Sequence, residues 1–242
     1  MNITDLIYFR ALYIIVLPFV ILAIWAQIKV KYTYHHYDEI TSNSGYSGAE
    51  VARLILDHHN CSDVTIGTIP GELTDCYDPV TNTLFLSTNV YYGETISAIG
   101  IAAHECGHAI QKKEGYTPFV VRGALIPVVN FTSKISYPLV FIGLALMLSF
   151  SADITTNAGS IFITLGLLLY LVSVLFHLIT IFIEINASRR AMKILDEMCI
   201  VSKNEYSSIK KILGAAALTY IAALALSIAK FLRLFLFSKR RK

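Results

Sequence analysis

The run Ala102-Ala103-His104-Glu105-Cys106-Gly107-His108-Ala109 holds two histidines four residues apart, with a glutamate directly after the first. On a helix, residues four apart lie one above the other on one face. His104 and His108 can thereby turn two imidazole nitrogens to one tetrahedral Zn²⁺, with Glu105 beside its open position. A catalytic zinc lowers the pKa of bound water to about 7. Glu105 is then placed to take the water's proton and hand it to a leaving amine. Cys106, two residues from His104, points off that face and reads as packing. The same pattern arises by chance in about one chain in a hundred of this histidine content, so its weight rests on its surroundings.

The helix that must carry these residues is predicted at 95–113. Lys112 and Lys113 suit the negative end of its dipole, Gly115 can cap it, and Pro118 lies just beyond. Its apolar stretch, 98–110, is only about 13 residues long, short of the roughly 20 needed to cross a bilayer. It reads as a domain core helix, not as a zinc site at bilayer depth. Upstream, Ser47-Gly48-Ala49-Glu50 forms a capping box ahead of Val51, Leu54, Ile55 and His58, an amphipathic helix. Two β-like runs follow, 64–69 and 83–87, beside the turn signals Pro70-Gly71 and Asp78-Pro79. The second run suits either a sheet edge that adds an extended peptide as a further strand or a plain core strand. His35-His36 invites a metal reading, but sequence neighbours point apart, which favours a polar interfacial segment.

A content of 55% hydrophobic and 15% charged residues is too apolar for an ordinary soluble domain. The apolar residues gather at 11–28, 138–150, 159–183 and 212–237, whereas 29–115 is mixed. The expectation is an integral membrane protein with one modest soluble domain. No small-residue cleavage site follows the first run, which reads as a retained anchor. A net charge of +3 without a basic stripe interleaved with aromatics points away from nucleic acid. The four cysteines, Cys61, Cys76, Cys106 and Cys199, form no C-x-x-C pair; Cys61 and Cys76 could join only in an oxidising compartment.

The first span runs from 11 to 28, with Pro18 inside it. From 119 to 150 the apolar sequence is interrupted by Arg122, Pro127, Lys134 and Pro138, predicting a helix against the membrane and a second span at 136–150. A polar turn at 151–159 leads to a third span at 161–183. Two antiparallel spans return the chain to the side it left, so Glu184 emerges on the side of His104 and His108, as a third zinc ligand requires. Glu114, Asp75 and Asp78 are competing oxygen ligands. His177, two turns before Glu184, reads as a histidine bonded within the bundle rather than a site residue. Residues 193–211 read as a solvated connector and 239–242 as a basic tail. Lysine and arginine gather on the side of the motif, while 151–159 has none, so the site is expected to face the cytoplasm.

Several stretches together resemble the YugP-type membrane neutral zinc metallopeptidases, relatives of the HtpX-like membrane proteases. Ser47-Gly-Ala-Glu-Val-Ala-Arg53 resembles the family's opening helix. Leu73-Thr-Asp-Cys-Tyr-Asp-Pro79 with Thr83-Leu-Phe-Leu-Ser87 resembles its D-x-Y-D-P stretch and strand. Ala98 to Gln111 resembles its zinc helix, and Glu184-Ile-Asn-Ala-Ser-Arg-Arg-Ala191 its E-x-x-A-x-x-x-A segment. The resemblance implies a zinc endopeptidase in which His104, His108 and Glu184 hold one Zn²⁺ and Glu105 is the general base. It departs at Cys76, where His is expected, and at Ser188, where HtpX-like relatives carry Asp. If that Asp orients a zinc-binding histidine, Ser188 replaces it weakly and Asn186 or another group is needed.

The fold class expected is thus mainly α, an integral membrane protein with a small α+β zincin-like domain and three to four membrane helices. Its parts are an anchor at 1–31, the zincin-like domain at 32–118, a membrane-associated helix with a two-span hairpin at 119–183, the third-ligand segment and connector at 184–211, and an apolar helix with basic tail at 212–242. The partners expected are a peptide or protein substrate and the lipid bilayer of a bacterial plasma membrane. Tyr77 is a candidate oxyanion donor or simply part of a turn. Arg189 and Arg190 pair with carboxylates near the site or anchor at headgroups. The alternatives are a catalytically silent membrane scaffold that keeps the metal, an interaction protein with a chance motif, and a metallohydrolase acting on a lipid or non-peptide amide.

Overall fold

Apolar composition runs into helices far longer than the apolar windows themselves. The computed structural model describes residues 3–149 and 153–239. In chain order its elements are α1 (Ile3–Asp38), α2 (Gly48–His58), β1 (Thr65–Ile69), β2 (Cys76–Asp78), β3 (Thr83–Ser87), α3 (Thr88–Tyr92), α4 (Ile96–Lys113), α5 (Thr117–Ser149), α6 (Asp153–Glu197) and α7 (Lys203–Lys239). Among the described residues, four helices are long and apolar enough to cross a membrane: Ile14–Asp38, Thr117–Met147, Ala158–Glu197 and Lys203–Leu236. The chain is a mainly α integral membrane protein with a small mixed domain.

Two compact units result. The first comprises Met1–Trp25, Val121–Thr180 and Tyr220–Lys242. Within it α5 and α6 approach closely through glycine. A Cβ on Gly143 would lie 2.6 Å from the Gly159 oxygen, and one on Gly166 would lie 2.7 Å from the Ser136 oxygen. Small residues serve membrane helices in this way, since dispersion between close backbones replaces the hydrophobic drive that lipid removes. Val140 and Leu144 of α5 with Ile163 and Tyr170 of α6 form one buried cluster, which Leu234 of α7 joins. His177 Nδ1 lies 2.7 Å from the Ser173 carbonyl oxygen one turn back, so the ring is bonded within its own helix.

Three sequence expectations change here. The surface helix and span expected separately over 119–150 are one continuous helix, α5, with Pro127 and Pro138 inside it. Each proline removes a single N–H bond, which a membrane helix tolerates, and the turn into α5 is made ahead of it at Gly115, where φ is +63°. The turn expected over 151–159 is helical from Asp153 onward; its first residues, like the basic tail beyond Lys239, lie outside the described residues. The connector expected at 193–211 is mostly helix, because α6 continues to Glu197 and α7 begins at Lys203.

The second unit comprises Ala26–Val120 and Ile181–Thr219. Its core is made by the buried faces of α2 (Val51, Ala52, Ile55, Leu56) and α4 (Ile99, Ala102, Ala103, Cys106, Ile110). The expected capping box starts α2: the Ser47 side chain accepts from the Glu50 backbone N–H, and the Glu50 carboxylate accepts from Ser47 N–H at 2.8 Å. A three-stranded sheet of order β1-β3-β2 covers this core, with β1 parallel and β2 antiparallel to β3. The strand at 83–87 is therefore central, with Leu84 and Leu86 fully buried, and the edge-strand reading of it falls. The edges are β1 and the short β2, whose Tyr77-Asp78-Pro79 end carries a turn signal in the sequence.

Candidate metal centre

Helix α4 starts where the Thr95 hydroxyl accepts from the Ala98 N–H at 3.1 Å, satisfying one of the helix's free donors. Its four-residue spacing then sets the two motif imidazoles edge to face, with ring centroids 4.8 Å apart. Helix α6 crosses α4 at Gly107, and Ala187 and Ala191 on α6 are fully buried. This brings Glu184 over the histidine pair. Glu184 Oε2 lies 3.3 Å from His104 Nε2 and 3.6 Å from His108 Nε2. The three ligand atoms all fall within 4.8 Å of one another, the one such group among the described residues. Ligands bound tetrahedrally at about 2.0–2.1 Å stand about 3.3–3.4 Å from each other. The two nitrogen–oxygen spacings, 3.3 and 3.6 Å, lie close to that value, and two imidazoles with one carboxylate are a donor set that suits zinc.

Electrostatics favour a cation at the same point. Burial by itself would push the His108 imidazole down, but the Glu184 hydrogen bond and the charges of Glu105 and Glu184 carry it above its usual range. Burial pushes the Glu105 carboxyl up; His108 and His104 oppose that shift, and Glu184 and Asp75 add to it. Glu105 is itself buried, 8% exposed. Two carboxylates and two imidazoles held this close out of water call for a positive charge among them.

A layer of amides and a hydroxyl holds the ligands. The Gln111 amide nitrogen donates to the Ile183 carbonyl oxygen and to Asn186 Oδ1, each at 2.9 Å. That leaves Gln111 Oε1 facing His108 Nδ1 at 2.9 Å. An amide oxygen only accepts, so His108 carries a proton on Nδ1, which leaves Nε2, on the Glu184 side, as the nitrogen that could serve a metal. Arg190 Nε also donates to Asn186 Oδ1 at 2.7 Å, and its guanidinium pairs with Glu114 at 2.7 Å. Ser188 Oγ lies 3.2 Å from His104 Nδ1. Ser188 thus touches the His104 ring itself, whereas Asn186 reaches the other histidine, His108, only through Gln111.

The competing ligands are engaged elsewhere. Asp75 accepts from the Ser87 N–H at 2.7 Å and the Ser87 hydroxyl at 3.2 Å. Asp78 accepts from Val80 N–H and the Thr81 hydroxyl in a turn, and Glu114 holds Arg190. The Tyr77 phenol donates to Asn82 Oδ1 at 2.7 Å, its pKa raised by burial to about 12; this commits it to the turn reading rather than to an oxyanion. His35 lies 3.7 Å from Glu72 and His36 stacks on Tyr32, so neither joins a metal cluster. Cys106 is buried with Sγ 3.6 Å from the Ala52 carbonyl oxygen, and all four cysteines are free. Arg189 is exposed, whereas Arg190 is tied to the site.

Two contributors escaped the sequence reading. Gln111 stands three residues after His108, a spacing that puts both on one helix face. Gly107, inside the motif, carried no visible signal beyond its lack of a side chain.

The family model described as "Putative neutral zinc metallopeptidase" matches residues 12–239. The chain is also 43% identical over 212 residues to the protein described as "Putative membrane protease YugP" of Bacillus subtilis (strain 168), covering 88% of this chain and 89% of that one. No solved structure matches it. The chain belongs to this family of neutral zinc metallopeptidases.

Proposed function

Taking that membership as the premise, we propose that the protein is a membrane-embedded zinc endopeptidase, with His104, His108 and Glu184 holding one Zn²⁺ and Glu105 as general base. The observation that carries this is the convergence of the three ligand atoms within 4.8 Å, with Glu105 next in sequence to His104. Zinc bound there would supply Lewis acidity toward a scissile carbonyl and a water acidified to about neutral pH.

The chain's own residues account for the remaining chemistry. The Glu105 carboxylate takes a proton from water and returns it to the leaving amine nitrogen. Its burial raises its pKa, which suits a group that must both accept and release a proton near neutrality. Gln111 holds His108 in the tautomer that offers Nε2, and the walls formed by α4 and α6 exclude bulk water from one side of the site. The basic residues flanking this domain, among them Lys29, Lys31, Arg53, Lys112 and Lys113, support a cytoplasmic orientation.

The test is zinc content and peptidase turnover of detergent-purified wild type, Glu105→Gln and Glu184→Ala. We expect about one zinc per chain in wild type and Glu105→Gln, turnover in wild type alone, and zinc sharply reduced in Glu184→Ala. Substantial turnover by Glu105→Gln would overturn the general-base assignment, and full zinc in Glu184→Ala would move the third ligand elsewhere.

A further inference from the structure

A second site lies away from the metal centre, in the same unit. A cavity of about 470 Å³ opens between the C-terminal part of α1 and the start of α7, lined by residues that include Lys29, Tyr32, His36, Tyr37, Lys211 and Gly214. The family reading uses none of these residues. The lining residues include the lysines Lys29 and Lys211 and no aspartate or glutamate. The volume falls in the range of small-molecule pockets, about 300–1,000 Å³.

Position specifies the ligand further. On α1 the lining begins at Lys29, directly after the apolar run that ends at Ile28; on α7 it stops at Ala215, just as the apolar run from Ile212 begins. Both walls therefore stand where the chain passes from water to hydrocarbon. Trp25 and Tyr32, on α1, are 48% and 73% exposed, as aromatic residues are at the headgroup level. Gly214 sits inside α7, where glycine costs about 1 kcal/mol against alanine, yet a Cβ there would meet nothing within 4 Å. No neighbouring atom requires this glycine. A larger side chain at this lining position would stand in open space beside the cavity.

We propose that this cavity binds the phosphate headgroup of an anionic phospholipid, with Lys29 and Lys211 as its cationic contacts and Gly214 keeping the entrance clear. A bilayer component at the level of both walls is the phosphate source that the position favours, over a soluble phosphate.

The test is native mass spectrometry of the full-length protein extracted from nanodiscs of equal phosphatidylglycerol and phosphatidylcholine. Wild type should retain phosphatidylglycerol preferentially. Losing a lysine near a membrane surface weakens anionic lipid binding about fivefold, so Lys29→Gln with Lys211→Gln should remove most of the preference. Gly214→Leu should remove it with both lysines in place, and Lys31→Gln, a neighbouring charge outside the cavity, should weaken it less than the cavity variants do. Equal retention of both lipids by wild type would overturn the proposal, as would a preference unchanged in both the double variant and Gly214→Leu. Displacement of the bound lipid by millimolar inorganic phosphate would reassign the site to a soluble anion and overturn the lipid assignment.

Discussion

A Cβ on Gly107 would stand 2.8 Å from the Ala187 carbonyl oxygen and 3.2 Å from its Cα. Helices α4 and α6 therefore meet backbone against backbone, between the two histidines of one and one turn beyond the glutamate of the other. The alanines in Glu184-x-x-Ala187-Ser188-x-x-Ala191 are the matching surface. What looks like a zinc motif plus a distant carboxylate is physically a single helix crossing, and its closeness sets the reach of Glu184.

Gly107→Ala isolates that closeness. In an ordinary helix the change would stabilise by about 1 kcal/mol. Here the added methyl meets backbone that cannot rotate away, so α6 must shift and Glu184 must leave the histidine nitrogens. Zinc affinity should fall by at least about tenfold, the scale on which misplaced ligand supports act. Competition with a chelating dye measures it, and an unchanged affinity would mean the crossing does not set the ligand geometry.

Gln111→Leu tests the tautomer. The leucine fills similar volume but offers nothing to His108 Nδ1, and it strands the Ile183 carbonyl and Asn186 that Gln111 now satisfies. Zinc affinity should drop by about 10- to 100-fold, and stability by about 1–3 kcal/mol from the buried groups left unpaired. Chelator competition and chemical denaturation read the two losses separately. A loss of stability with unchanged zinc affinity would show that Gln111 serves packing alone.

Ser188 offers the opposite experiment. Its hydroxyl touches His104 Nδ1 at 3.2 Å, a neutral contact where a carboxylate would make a charge-assisted one about twice as strong. Ser188→Asp should therefore slow zinc release, and Ser188→Ala should speed it modestly. Stopped-flow transfer of zinc to excess chelator orders the three proteins; a slower release from Ser188→Ala than from Ser188→Asp would reverse the reading.

How far the sequence foretold this site follows from which interactions are local. The pair His104 and His108, the Ser47–Glu50 capping box and the ends of α4 depend on residues within a turn or two, and all were legible. Glu184 was reachable because membrane spans can be counted, which converts a long sequence separation into a side of the bilayer. Strand β2 was missed because three residues carry no periodicity; pairing with β3 makes it a strand. Helices α5, α6 and α7 were cut too short because a polar run inside a membrane protein's helix resembles a loop in composition. Gln111 and the Gly107 crossing depend on what α6 brings across, and no local pattern announces it.

Cys76 gives a pH-dependent probe of the site from outside the ligand set. Tyr77, its neighbour in β2, is buried on the other face of the strand. Burial raises the Cys76 thiol, and the carboxylates of Glu105, Asp75 and Asp78 raise it further, because each penalises a neighbouring thiolate. The thiolate is the reactive form, so alkylation should climb with pH through a midpoint above the ordinary thiol value of about 8.5. Removing a carboxylate must lower that midpoint, and adding a cation must lower it too. In a Cys199→Ser background, which leaves Cys76 as the one exposed cysteine, Glu105→Gln should react faster than its parent at a fixed pH that lies below the midpoint and at which Glu105 is ionised. Zinc loading of the parent should act in the same direction. Iodoacetamide labelling followed by peptide mass spectrometry reads both effects. Rates insensitive to Glu105 and to zinc would place Cys76 outside the field of the metal centre.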